Sequence, residues 1–242
     1  MQAIKARGLV KRYKNLTAVD GLHLEIHNGE LFSLLGVNGA GKTTAIKMLS
    51  CLTVPTAGDA EVGGYSITKE PEQVKSLIGV SPQETAVAPN LTVKENLELI
   101  CGIHGFTKEK TTDRIRELTD QLRLEEVLQR RAGKLSGGWQ RRVSIAMALI
   151  SQPRILFLDE PTLGLDVIAR HDLWDMIRKL KGNITIILTT HYMEEAECLS
   201  DRIGIMKSGR LLAVGTAEEL KAIAGVTDFE TAFVSIIKEA NA

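Results

Sequence analysis

One segment of the chain has the residue types and spacing needed to bind phosphate. It fits the pattern G-x-x-x-x-G-K-[ST] and comprises Gly36, Val37, Asn38, Gly39, Ala40, Gly41, Lys42, Thr43 and Thr44. Glycines let backbone N–H groups approach an anion, and a helix that starts after the loop points its positive end at the same anion. Lys42 can reach the outer phosphates of a nucleotide, and the Thr43 hydroxyl can coordinate Mg²⁺. The alternative is a glycine-rich turn that fits by chance, but the position between a buried strand and a helix favours a nucleotide site.

Two acidic residues, Asp159 and Glu160, directly follow the apolar segment 154–158. Open α/β sheets bind their ligands at the carboxyl ends of strands, which would bring this pair close to a bound nucleotide. We expect Asp159 to meet Mg²⁺ through water, and Glu160 to accept a proton from the attacking water or to orient it. By itself the pair could also be the solvated start of a helix. Together with the phosphate loop, it predicts hydrolysis of Mg-ATP.

Alternating strand and helix patterns predict the scaffold that positions these residues. Apolar runs at 31–35, 154–158 and 185–189 are typical of strands buried on both faces, and 43–52 and 167–180 have helical patterns. Strands that alternate with helices predict an α/β fold with a parallel sheet. Residues 71–150 are mostly helical, with helices at 92–104 and 108–122, and the block between residues 84 and 150 predicts an inserted lobe. A hairpin at 203–214 and two short amphipathic helices complete the chain.

The overall composition narrows the classes of function. Thirty basic and thirty acidic residues in 242 give zero net charge, which argues against broad nucleic-acid binding. Cys51, Cys101 and Cys198 lack a CxxC spacing, so we expect buried free thiols in a reducing cytosol. The start of the sequence has no apolar core typical of a signal peptide, and apolar runs are far shorter than the roughly 20 residues of a membrane-spanning helix. Any pore would belong to another polypeptide.

A second glycine-containing segment carries a family resemblance. It reads Leu135-Ser136-Gly137-Gly138-Trp139-Gln140 and resembles the signature motif of ABC ATPases, with Ser136 as the cap of the following helix. In that family, this segment meets the γ-phosphate that the opposite subunit holds. The resemblance therefore implies that Ser136, Gly137 and Gly138 act in trans, with two ATP molecules sandwiched in a head-to-tail dimer.

Further motifs of the same family follow in the expected order. Gln83 in Ser81-Pro82-Gln83 resembles the Q-loop glutamine, which approaches Mg²⁺ and couples to the transmembrane partner. Asp166 ends a segment similar to the D-loop at the dimer interface, and His191 resembles the switch histidine that contacts the γ-phosphate. Tyr13 resembles the aromatic residue that stacks on adenine. Taken singly, a histidine at a strand end or a lone tyrosine is more often structural.

One signature position departs from the family pattern. Trp139 stands where glutamine is common. An indole cannot accept a hydrogen bond from a ribose hydroxyl, so that contact is in doubt, and stacking or packing of the ring remains open.

The resemblance covers about residues 5–214 and implies a domain plan. The fold would be a P-loop NTPase with a mainly parallel sheet core, an N-terminal antiparallel β subdomain and an inserted α-helical subdomain. The plan is a single ABC ATPase domain over 1–242, in which 1–83 and 151–215 form the RecA-like and β core. Residues 84–150 are the helical signature subdomain, and 216–242 are the C-terminal helical tail.

The resemblance also implies a role and partners. The chain would be the ATP-hydrolysing subunit of an ABC transporter, bound as a homodimer, or with a paralogous ATPase, to an integral membrane permease. It would then lie on the cytoplasmic face of the cell membrane without a membrane-spanning segment of its own. Residues 189–197 are similar to those of ATPases that export drugs, antibiotics, sodium or lipids, which implies export; otherwise the acidic residues of 193–199 are simply the solvated face of an amphipathic helix.

Two rival functions follow from the same motifs. A soluble ABC-type ATPase acting on nucleic acid or ribosomes tends to have two cassettes, long coiled-coil insertions or basic extensions. This sequence has a single cassette and zero net charge, so no nucleic-acid partner is expected. A non-hydrolysing regulatory module would have substitutions at Glu160 or His191, and both residues are present.

Overall fold

The computed structural model describes residues 2–239, in which the strands form two sheets. Met1 and residues 240–242, which the predicted single domain includes, lie outside the described residues. The smaller sheet is antiparallel and has the order β2-β1-β4-β5, its strands being β1 (Gln2–Tyr13), β2 (Leu16–His27), β4 (Ala57–Val62) and β5 (Tyr65–Ser66). This sheet confirms the expected antiparallel subdomain at the N-terminus.

The larger sheet has six strands and supports the candidate site. Its strands are β3 (Leu31–Leu35), β6 (Ile78–Ser81), β7 (Ile155–Asp159), β8 (Thr185–Thr190), β9 (Arg202–Lys207) and β10 (Arg210–Gly215). They lie in the order β10-β9-β3-β8-β7-β6. All neighbouring pairs are parallel except β9 and β10, which form the predicted antiparallel hairpin. The expected α/β class with a mainly parallel sheet is confirmed.

Strands β3, β7 and β8 are buried at every residue, as their continuous apolar runs predict. Strand β2 belongs to the small sheet and β3 to the large one, so the turn at Asn28-Gly29 connects two sheets. Because β3 lies in the middle of the parallel sheet, the loop that follows it opens at the carboxyl edge of the sheet. That edge is where open α/β sheets bind ligands.

Helices cover both faces of the large sheet. The described helices are α1 (Lys42–Leu49), α2 (Pro71–Leu77), α3 (Val93–Ile103), α4 (Lys108–Leu122), α5 (Gly137–Leu149), α6 (Val167–Leu180), α7 (Met193–Leu199), α8 (Ala217–Ala224) and α9 (Phe229–Glu239). Thr92 caps α3 in a reciprocal capping box with Glu95, close to the predicted start of this helix at residue 92. Helix α1 ends three residues before the predicted Leu52, because Cys51 adopts a positive φ of 57°.

Three apolar clusters hold these layers together. One joins the helical segment α3–α5 to the large sheet, and it includes Leu97, Leu118 and Leu158. A second lies between the two sheets, and a third packs α8 and α9 against β9, β10 and α7. Cys101 is buried as expected, whereas Cys198 is exposed. The prediction of a buried thiol is wrong for Cys198, because the buried positions of α7 are 195, 196 and 199.

Candidate functional site

The phosphate loop lines a cleft of about 440 Å³ at the carboxyl edge of the large sheet. Nine of the predicted site residues line it, namely Asn38, Gly39, Gly41, Lys42, Thr43, Thr44, Gln83, Glu160 and His191. A larger cavity of about 930 Å³ lies at the opposite edge, near Asn28 and Thr185, and its lining includes none of the predicted site residues. Among the described residues, the fold therefore gathers the phosphate loop, Gln83, Glu160 and the switch histidine around one cleft, and Asp159 contacts the loop through Thr43.

Two glycines of the loop are required by their surroundings. Gly41 is the N-cap of α1 and has a φ of 102°, a conformation that side chains rarely adopt. A Cβ at Gly41 would fall on the carbonyl oxygen of Ala18, and one at Gly36 would fall on the carbonyl oxygen of Met206. Close packing against neighbouring backbone thus fixes the course of the loop independently of a ligand.

The Glu160 carboxylate lies between two basic side chains. Lys42 Nζ is 3.3 Å from Glu160 Oε1, and His191 Nδ1 is 2.8 Å from Glu160 Oε2. Lys42 also donates to the carbonyl oxygen of Gly36 at 2.8 Å, so its side chain curls back across its own loop. Lys42 and Glu160 are 4% and 7% exposed. A carboxylate held in this way has a fixed direction and can accept a proton at one defined place.

The backbone at Glu160 is strained. Its φ of 46° lies in the left-handed region, where residues other than glycine, asparagine and aspartate are uncommon. The N–H of Glu160 donates to the backbone oxygen and to the hydroxyl of Thr189, at 3.1 and 3.0 Å. Neighbouring strand β8 therefore holds Glu160 in a conformation that the residue would not adopt alone, as is common at functional sites.

Oxygen ligands of the kind that Mg²⁺ prefers lie beside the loop. Thr43 Oγ1 donates to Asp159 Oδ1 at 3.1 Å, and Thr189 Oγ1 donates to the same oxygen at 2.5 Å. Gln83 lines the same cleft. Mg²⁺ is usually held by one or two such groups together with substrate phosphates and water, so these residues fit the ion.

The signature segment lies apart from the phosphate loop of the same chain. Ser136, Gly138 and Trp139 line a separate cavity of about 710 Å³. Ser136 occupies the N-cap position of α5 as predicted, but in the described part of the chain its hydroxyl makes no capping hydrogen bond. The prediction of a side-chain cap is therefore wrong, because the exposed Ser136 side chain does not bond the first amides of the helix.

The glycines of the signature segment pack on the next helix. A Cβ at Gly138 would lie 3.1 Å from that of Ala169, and one at Gly137 would lie 3.6 Å from Leu165 Cδ2. The Asp166 carboxylate caps α6 by accepting from the N–H of Ala169 at 2.9 Å. Asp166 thus has a structural task in addition to its predicted place at an interface.

Trp139 is engaged by its own chain. The ring is half-buried against the first cluster, and the guanidinium of Arg142 lies 4.8 Å from the ring centroid. Arg142 is fixed in turn by Asp172 at 3.1 Å. Of the two alternatives for this position, these contacts favour packing.

Tyr13 lies at the border of the cleft. It is the last residue of β1 and is 44% exposed. Its strand partner Leu16 lines the cleft, whereas Tyr13 does not, and Lys11 Nζ lies 5.1 Å from the Tyr13 ring centroid. An exposed ring at this border is accessible to a planar base.

Three residues that support the site were not found from the sequence. Thr189 anchors both Asp159 and Glu160, and Arg141 donates to the backbone of the Gln83 segment. The third, Glu195, is fully buried and accepts from the indole of Trp174 at 2.9 Å. Burial raises the pKa of Glu195, and the Trp174 indole and the nearby hydroxyls of Thr190 and Thr162 oppose this effect. The alternative that the acidic residues of 193–199 form a solvated face is wrong for Glu195, whereas Glu194 and Glu197 are exposed.

Comparison with known proteins agrees with this arrangement. The family described as ABC transporter matches residues 19–163. The daunorubicin resistance ATP-binding protein DrrA3 of Streptomyces coeruleorubidus is 42% identical over 92% of this chain and 71% of its own length. The linearmycin resistance ATP-binding protein LnrL of Bacillus subtilis (strain 168) is 39% identical over 98% of this chain and 76% of its own length.

A solved structure is similar to this chain in both fold and sequence. The ATP-binding cassette MJ0796, solved as a dimer in a post-hydrolysis state bound to ADP and phosphate, superposes with a TM-score of 0.79 at 28% identity. The match covers 88% of this chain and 98% of that chain. With the phosphate loop, Glu160 and the switch histidine gathered in one cleft, these likenesses show that the chain belongs to the ABC transporter family and is one of its ATP-binding, ATP-hydrolysing cassettes.

Proposed function

We propose that the chain powers export through a separate integral membrane permease, by hydrolysing Mg-ATP between two ATPase subunits. The observation that carries the proposal is the Glu160 carboxylate, buried between Lys42 and His191 at the phosphate loop. A carboxylate fixed there is suited to take a proton from water that attacks a terminal phosphate. The relatives named for daunorubicin and linearmycin resistance support export rather than import.

In this mechanism each group has one task. The loop amides and Lys42 would neutralise the outer phosphates, and Tyr13 would stack on the adenine. Thr43, Asp159 and Gln83 would hold Mg²⁺, which supplies positive charge against the phosphate oxygens. Glu160 would accept the proton of the attacking water, and His191 would keep the Glu160 carboxylate aligned through the 2.8 Å contact with Oε2. Under the proposal, the water would have one base and one direction of attack.

A second subunit is needed because the two phosphate-binding segments of one chain line different cavities. In a head-to-tail pair, the Ser136 hydroxyl and the amides of Gly137 and Gly138 would close over the nucleotide of the partner. Exposed apolar side chains near Asp166 support an interface there, since Val167 and Ile168 are 63% and 76% exposed. The partner would be a second copy or a paralogous ATPase.

Another exposed apolar area supports contact with a permease. Leu99 and Ile103 on α3 are 48% and 70% exposed, and Leu52 and Val54 after α1 are 63% and 72% exposed. In contrast, Val93 and Leu97 of the same helix are buried in the core. In residues 2–239 each helix is too short or too polar to span a bilayer. Under the proposal, attachment to the cytoplasmic face of the membrane would go through the permease.

Substitution of Glu160 tests the base and the dimer together. Glu160→Gln keeps the shape of the side chain but removes the proton acceptor, so we expect kcat to fall by about 100-fold or more. ATP binding should persist, and with Mg-ATP the variant should elute as a dimer in size-exclusion chromatography. Normal hydrolysis by this variant would overturn the assignment of Glu160 as the base.

A matched variant tests nucleotide binding alone. Lys42→Ala should abolish calorimetric binding of ATP and the ATP-dependent dimer, because Lys42 supplies the side-chain positive charge of the loop. Wild-type affinity in this variant would contradict the phosphate role of Lys42. Wild-type protein with Mg²⁺ that neither hydrolyses ATP nor dimerises, with or without a permease, would overturn the proposed function.

A further inference from the structure

The segment that carries Gln83 is fastened to the signature helix by one side chain. Arg141 lies in the second turn of α5, and its guanidinium donates to the carbonyl oxygens of Pro82 and Gln83, both at 2.6 Å. A second link joins the hydroxyls of Ser81 and Ser144 at 2.9 Å. The two contacts connect the end of β6 to the helix that starts at Ser136.

The Arg141 contact is buried and has a defined geometry. Arg141 is 5% exposed, which is rare for arginine unless its donors are used. A guanidinium is a planar fork that can bond two neighbouring oxygens, and a charged donor roughly doubles the strength of each bond. Burial lowers the pKa of Arg141 and the nearby Asp159 charge raises it, while arginine remains protonated in proteins.

The contact matters because it joins two segments that line different cavities of the site. Gln83 lines the nucleotide cleft, whereas Ser136 at the start of α5 lines the separate signature cavity. Arg141 is five residues after Ser136 in the same short stretch of chain. A helix transmits a shift along its length, so a displacement of α5 would be passed to Gln83 through Arg141.

We propose that Arg141 is a positioning residue that ties Gln83 to the signature helix, so that Gln83 and Ser136 move as one unit. The inference rests on the proposed function, because it assigns a task to Arg141 within that catalytic cycle. Arg141 itself does not line the nucleotide cleft; it would act through the backbone of Pro82 and Gln83. The alternative is that Arg141 only stabilises the fold.

A double-mutant cycle separates the two possibilities. Arg141→Lys keeps the charge and most of the length but cannot hold both carbonyls, and Gln83→Ala removes the group that Arg141 positions. We expect Arg141→Lys to lower kcat by about tenfold with the KM for ATP unchanged within about twofold, because the loop and Lys42 are intact. In the Gln83→Ala background, Arg141→Lys should have no further effect on kcat.

Controls address folding and specificity. Arg141→Met removes the hydrogen-bond donors altogether, so it should lower kcat at least as much as Arg141→Lys does. Thermal melting shows whether Arg141→Met folds, and if it does not fold, the test rests on Arg141→Lys. Arg116→Lys, at an exposed arginine of α4, should leave kcat unchanged. Multiplicative effects of Arg141→Lys and Gln83→Ala, or full activity of Arg141→Lys, would overturn the proposal while leaving ATP hydrolysis established. Lack of hydrolysis by the wild-type protein would instead overturn the proposed function on which it rests.

Discussion

Substitution of Glu195 by glutamine should change how the stability of the protein depends on pH. The Glu195 carboxyl is 0% exposed, and its Oε1 accepts from the indole of Trp174 at 2.9 Å. Burial raises its pKa above the ordinary 4.5, although neighbouring hydroxyls and the indole partly oppose this. Glutamine has almost the same shape and keeps an oxygen for the indole, but it does not ionise. The difference in stability between the two proteins therefore reports the ionisation of Glu195 alone.

The direction of the pH effect on stability depends on whether the folded or the unfolded chain holds the Glu195 proton more tightly. As pH rises through 4.5, the unfolded chain loses the Glu195 proton while the folded protein retains it. The free energy of unfolding of the wild type therefore decreases by about 1 kcal/mol per pH unit from this residue, until the raised pKa of the folded state is reached. The Glu195→Gln variant lacks this term. Its stability relative to wild type should increase with pH across that window.

Urea unfolding followed by far-UV circular dichroism at pH 5, 6, 7 and 8 would measure the difference. All other ionisable groups are shared by both proteins, so their effects cancel. Glu194→Gln is the matched control, because the Glu194 side chain is 63% exposed and its difference from wild type should be nearly flat. A Glu195→Gln difference that stays constant from pH 5 to 8 would refute the reasoning, since it would mean that folded Glu195 is ionised throughout.

Three further substitutions test other parts of the site. Gly41→Ala should reduce ATP affinity at least tenfold in calorimetry, because its φ of 102° and the nearby Ala18 carbonyl exclude a Cβ; wild-type binding would contradict this. Asp166→Ala should lower unfolding free energy by about 1 kcal/mol in urea melts through loss of the α6 cap, with Asp166→Asn near wild type; equal stabilities would exclude a capping role. Tyr13→Ala should weaken ATP binding by about tenfold and Tyr13→Phe should not, in equilibrium titrations; unchanged affinity in both would exclude stacking.

The sequence was sufficient for the parts of the site that are encoded locally. The phosphate loop needs glycines, a lysine and a threonine close together in the sequence. Residues 36–44, which include Gly41, supply all of them. The parallel strands could also be predicted, because β7 and β8 are buried on both faces and are apolar throughout. Asp159 and Glu160 directly follow the apolar run of β7, so their place at the carboxyl end of a strand could be predicted as well.

The residues that the sequence did not reveal act through contacts between distant segments. Arg141 bonds to a carbonyl 59 positions earlier, and Thr189 bonds to a carboxylate 30 positions earlier. Glu195 looks like its neighbour Glu194 in the sequence, and only the packing of Trp174 from α6 distinguishes the two. The bounds of strand β1 within the expected antiparallel subdomain were likewise not predicted, because its basic residues break up the apolar pattern.

The separation of Ser136 from Lys42 into two cavities has a kinetic consequence. Under the proposed mechanism each polypeptide contains two halves of different catalytic centres, and neither centre is complete until a second polypeptide arrives. At protein concentrations below the dissociation constant of the pair, turnover would then rise with the square of the concentration rather than linearly. Specific activity would increase on concentrating the sample and level off once pairing is saturated.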